Sequence, residues 1–196
     1  MIRSVLGRLD PAQLGVTLLH SHSVGDSEKA AAELRAFAGV GGQTVIEAMP
    51  TTVDAVRLAE ATGVNIVRLP KTLIYLRPAE ACQAFRDMDR LQANGVDLRN
   101  LAVHAANGAL TDHETLCSIA VRGAWLAIET AEPKWLGPLQ LLVAAGWAGQ
   151  ILAATVSCGS LQAAIDGVHR AGIASTAVHE VLIQNPVRYL TFSGSR

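Results

Sequence analysis

Apolar positions along this chain fall in short, nearly unbroken runs: VTLLH (16–20), QTVIEAM (43–49), VNIVRL (64–69), NLAVHA (100–105), AWLAIET (124–130) and QILAATV (150–156). Parallel strands covered on both sides carry such runs, because neither face meets water. TLIYL (72–76) is a candidate seventh. Between the runs lie helical segments with start and stop signals. Thr51 with Asp54 reads as a capping box whose helix stops at Gly63, and Thr111 with Glu114 as another whose helix stops at Gly123. Pro78 opens a third helix that closes at Gly95. A strand–helix repeat of about 25–30 residues predicts a parallel α/β fold. No linker or low-complexity stretch interrupts it, so residues 1–196 read as one domain.

Two α/β plans fit that rhythm. A doubly wound nucleotide-binding sheet wants a glycine-rich loop after its first strand. Here VTLLH runs into SHSVGDS, with a single glycine. A barrel instead gathers its working residues at the carboxyl ends of its strands. His20, His22, Glu47, His104 and Glu129 all stand at such ends. The expectation is therefore a shortened or incomplete TIM-like (β/α) barrel of six or seven parallel strands. The histidine pair adds chemistry, because residues i and i+2 of a strand point to one side.

Composition excludes several classes. The formal net charge is −1 and 17% of residues are charged, which argues against a nucleic-acid partner. No apolar run reaches the roughly 18–20 residues of a membrane span. The first residues, MIRSVLGRLDPAQLG, lack the apolar core of a signal peptide. Cys82, Cys117 and Cys158 are odd in number and widely spaced, as in reduced thiols of a cytoplasmic protein.

Several segments, in order, carry a family resemblance. GVTLLHSH (15–22) resembles the opening strand of the phosphotriesterase-related branch of the amidohydrolase superfamily, G-x-T-L-x-H-E-H. GGQTVIEAMP (41–50) and ATGVNIV (61–67) resemble its second and third strands. GVDLRNLAVHAAN (95–107) is similar to the family's G-V-D-x-x-R-x-x-I-G-H segment, and WAGQILAATV (147–156) and VLIQNPVRYLTF (181–192) to its last strand and closing N-P-x-R-x-L. The resemblance implies a (β/α)8 barrel that hydrolyses phosphotriesters, lactones and related esters at a two-metal centre. Carried over, His20 and His22 match the family's H-x-H pair and His104 its later histidine.

The departures fall in the same functional unit. Val156 stands where the family's last strand brings a metal-binding aspartate, and Thr130 and Asn107 stand where its proton relay has a histidine and an aspartate. The segment carrying the fourth histidine is missing. Lys71 reads as a displaced bridging lysine or an ordinary loop lysine.

Three readings remain open. His20, His22 and His104 hold one divalent metal, zinc by preference, for hydrolysis of an ester or lactone. Alternatively, without metal, these histidines do acid–base work on a small organic substrate with Glu47 or Glu129, in an isomerisation, cyclisation or elimination. In the third reading the chain is a non-catalytic binding or partner subunit. Glu47 and Glu129 serve equally well as groups that orient a histidine. Missing strand–helix units leave edges and apolar faces to cover, so a homodimer is expected. His113, His169 and His179 read as helix-surface residues, Cys158 as a buried thiol, and Trp125, Trp135 and Trp147 as packing, with Trp135 placed to overhang a pocket. Arg68 is a candidate contact for an anionic group.

Overall fold

The computed structural model describes residues 1–20, 27–48, 54–69, 71–76, 81–105, 112–130, 133–155, 162–163, 166 and 173–192. A short antiparallel hairpin, β1 (Ile2–Ser4) and β2 (Gly7–Leu9), comes first. It turns at Val5–Leu6 and Gly7, whose φ of 125° suits only a glycine. Seven parallel strands follow: β3 (Thr17–His20), β4 (Thr44–Glu47), β5 (Asn65–Arg68), β6 (Thr72–Leu76), β7 (Leu101–Ala105), β8 (Trp125–Glu129) and β9 (Ile151–Thr155). TLIYL is thus a strand, and the hairpin is an element that the run pattern missed.

The strands are ordered β5-β4-β3-β9-β8-β7-β6. The first strand of the repeat, β3, pairs with the last, β9, so the sheet curls into a half-barrel. Its two ends are neighbours in the chain, since only residues 69–71 separate β5 from β6. The described residues on either side of that junction keep one alternation of faces. Val67, Leu69 and Leu73 pack in one apolar cluster, while Ile66 and Ile74 pack in the other. β5 pairs with β4 at one end of the sheet, and β6 with β7 at the other. The hairpin lies on the outer edge of β5, where the Val5 amide donates to the Ile66 carbonyl at 2.9 Å.

Five helices occupy the connections: α1 (Ser27–Gly39), α2 (Ala55–Thr62), α3 (Ala81–Ala93), α4 (His113–Val121) and α5 (Leu136–Ala144). α2 is capped by Asp54, three residues past Thr51, and α4 by Asp112, one residue past Thr111. The Asp54 carboxylate accepts from the amides of Val56 and Arg57, and that of Asp112 from Glu114 and Thr115. A carboxylate also suits the positive end of the helix dipole. Thr51, Thr111 and Pro78 lie outside the described residues. Gly63, at φ 70°, ends α2 as expected. A closing segment runs from α6 (Ser175–His179) through a π-helical stretch (Glu180–Gln184) into α7 (Asn185–Thr191). No helix among the described residues is long and apolar enough to cross a membrane.

Two apolar layers sandwich the sheet. Leu18, Val45, Ile66, Val103, Leu126 and Ile128 meet the helices, including Phe37, Leu58, Met88, Leu116 and Leu142. Leu19, Ile46, Val67, Ala127, Leu152 and Ala154 face the inside, with Leu14, Tyr189 and Leu190 filling it. Alternation along each strand thus assigns every residue to a helix side or an inner side.

Candidate active site

His20 and Glu47 end β3 and β4, Glu129 ends β8, and His104 is next to last in β7, so all four stand at the carboxyl end. Register decides which of them share a side. Leu19 pairs with Ala154, Ala154 with Glu129, and Ala127 with His104. Glu129 and His104 therefore project inward with Leu19. His20 is in register with Glu47, and Glu47 with Arg68, on the helix side.

The register sets the expected partners His20 and His104 apart. They stand on opposite faces, with β9 and β8 between their strands. His22 lies outside the described residues, as do Val156, Asn107, Cys158 and His169. The zinc site expected for His20, His22 and His104 is therefore not assembled from the described residues alone, since the register sets His20 and His104 on alternate sides of the sheet. No group of three or more metal-binding side chains occurs among the described residues.

The structure forms two polar groupings instead. On the inner side Nε2 of His104 lies 3.7 Å from Oε1 of Glu129, with the two residues 0% and 2% exposed. On the helix side Oε2 of Glu47 lies 3.9 Å from Nε of Arg68. Thr130 is buried beside Glu129 in the chain. Trp135 is fully buried in the helix-side layer and overhangs nothing, and Trp125 packs edge-on against Tyr189 at 5.6 Å. His113 opens α4, where its Nε2 meets the Cys117 sulfur at 3.3 Å.

Lys71 has a structural post. At the β5–β6 junction its ammonium donates to the carbonyls of Tyr189 and, at 3.0 Å, Phe192, capping the end of α7. It also lies 4.7 Å above the Tyr189 ring. Partial burial pulls its pKa down from the usual 10.5 to about 8, against the opposing pull of Asp97. Arg99 stacks on Phe192 at 4.5 Å and donates to both carboxylate oxygens of Asp97, which lowers the pKa of that carboxyl. This staple holds the amino ends of β6 and β7 to the chain's closing segment.

No family model matches the sequence, and no curated protein does either. The architecture does have counterparts. A solved structure of a phosphotriesterase homology protein from Escherichia coli, complexed with phosphate in its active site, superposes with a TM-score of 0.74. It is 14% identical and covers 93% of this chain and 100% of that one. The fold is phosphotriesterase-like. At that identity the likeness concerns architecture, and the activity has to be argued from this chain's own residues.

Proposed function

We propose that the chain is a divergent enzyme of phosphotriesterase-like fold that moves protons on a small organic substrate through His104 and Glu129. The observation that supports this reading is the His104–Glu129 pair, side by side on adjacent strands at the carboxyl end and on the inner side of the sheet. A carboxylate beside an imidazole fixes its tautomer and ring orientation and stabilises its protonated form, the arrangement general acid–base catalysis uses. With Nε2 turned toward Glu129, a proton taken from the substrate is held on the imidazole and then returned. Isomerisation, cyclisation and elimination need only that exchange, so no metal enters the step.

The neighbour's phosphate makes phosphorylated and ester substrates the first to test. The decisive experiment is turnover on a panel of lactones, esters, phosphoesters and carbon acids, by wild type, His104→Ala and Glu129→Gln. The reading expects turnover in wild type, its loss in His104→Ala, and a large fall in Glu129→Gln, with folding checked by circular dichroism. Turnover that survives His104→Ala overturns it. Absence of turnover on the whole panel, with a ligand still bound, favours the non-catalytic binding subunit.

A further inference from the structure

The helix side of the carboxyl end carries a second polar assembly that the proton-transfer pair does not use. Three adjacent strands end on His20, Glu47 and Arg68, in register across β3, β4 and β5. Burial falls away in one direction along this row. His20 is 3% exposed and Glu47 7%, whereas the Arg68 side chain is 65% exposed. The Glu47 carboxylate lies 3.9 Å from the Nε edge of the guanidinium, within ion-pair reach. Neither terminal nitrogen of Arg68 meets an acceptor among the described residues. The neighbouring cation, Lys71, is committed to the carbonyls of Tyr189 and Phe192. What remains is a guanidinium anchored at one edge, with its outer nitrogens presented to solvent.

We propose that the His20–Glu47–Arg68 row is a separate anion-binding site, whose ligand is a small oxyanion with two coplanar oxygens, a phosphoryl group or a carboxylate. A planar guanidinium accepts two such oxygens side by side, which a lysine ammonium cannot match. Holding Nε against Glu47 removes part of the rotational freedom that an exposed arginine loses on binding, so less of the contact energy is spent on ordering. The site lies on the face opposite His104 and Glu129, and its ligand binds whether or not that pair is intact.

Calorimetric titration of the full chain with inorganic phosphate, and in parallel with acetate, tests this directly. Wild type should bind, and Arg68→Ala should weaken phosphate by about tenfold or more, as the loss of a charge-assisted contact implies. Arg68→Lys should recover only part of the affinity, and His104→Ala should bind as wild type. Unchanged thermal unfolding of Arg68→Ala shows that the loss is local, as expected for an exposed side chain. Phosphate selected over acetate assigns the ligand to phosphoryl compounds, and equal binding to carboxylates as well. Absence of binding in wild type, or binding that survives Arg68→Ala and fails in His104→Ala, overturns the proposal.

Discussion

His104 on β7 and Glu129 on β8 bring an imidazole nitrogen and a carboxylate oxygen to 3.7 Å within the curled sheet, both cut off from solvent. Two such groups are costly to bury singly and tolerable together. Removing one partner of a buried, charged pair costs up to about 3–5 kcal/mol. Glu129→Ala and His104→Ala should therefore each lower unfolding stability by a few kcal/mol, and the double variant by clearly less than the sum. Urea denaturation of the four proteins measures the coupling. Strict additivity would mean that the two side chains act independently.

The sequence displayed the strands well and their faces poorly, and the reason is physical. Runs such as VTLLH and NLAVHA are apolar on both sides, so they announce a buried strand while hiding where its pleat begins. Whether His20 and His104 face the same way depends on inter-strand register, fixed by pairs such as Leu19 with Ala154 and Ala127 with His104. That information is spread over four strands. The pairing of His104 with Glu129 was within reach, as both were marked as strand-end candidates. The hairpin was missed because its strands of three residues are too short for a period to emerge. The helix starts fall at Asp54 and Asp112, whose carboxylates accept from the first free amides of α2 and α4.

The closing motif NPVR has a structural task that is open to test. The Asn185 amide donates to the carbonyls of Ala148 (2.7 Å) and Ile151 (2.8 Å), tying the closing segment to the start of β9. Asn185 is fully buried, so Asn185→Ala leaves two carbonyls without their donor. A loss of about 1–3 kcal/mol is expected, read as a lower urea midpoint with an unchanged slope. An unchanged midpoint would show that the motif does not anchor the segment.

A steric prediction concerns the turn before β4. A methyl group on Gly42 would sit 2.4 Å from the ring of Phe37, which is fully buried and has no room to retreat. Overpacking of this kind costs about 1–3 kcal/mol. Gly42→Ala should lower the melting temperature, whereas Gly39→Ala, whose added carbon meets nothing within 4 Å, should not. Equal melting temperatures for the two variants would contradict the packing described.

Lys71 sets a pH signature at the β5–β6 junction. Its pKa is about 8 in the folded chain against 10.5 when unfolded, so between those values the unfolded state holds more protons. Stability from this group is therefore reduced at and below pH 8 and rises as pH climbs toward 10.5. Burial also raises the pKa of the Tyr189 phenol above its usual 10, and this acts in the opposite direction once pH passes 10. The usable window is thus pH 8–10. Across it, wild type should gain urea resistance relative to Lys71→Met. A constant difference would show that the ammonium at the end of α7 titrates as it does in water.

Metal removal separates a metal-assisted hydrolysis from the proposed proton transfer. A single ion shared by His20 and His104 would need imidazoles that the register sets on alternate sides of one sheet. Dialysis against a strong chelator should therefore leave turnover unchanged, while His104→Ala abolishes it. His20→Ala, on the helix side, should retain most of the wild-type rate. The three measurements fail together under the alternative: if His20 and His104 hold a common metal, the chelator and both substitutions silence the enzyme, and elemental analysis finds the same ion lost in each. That metal would bind neutral imidazoles, so its occupancy would also fall as pH drops through the histidine range near 6.5. Activity that resists the chelator and His20→Ala yet vanishes in His104→Ala leaves the pair on β7 and β8 as the chemical centre.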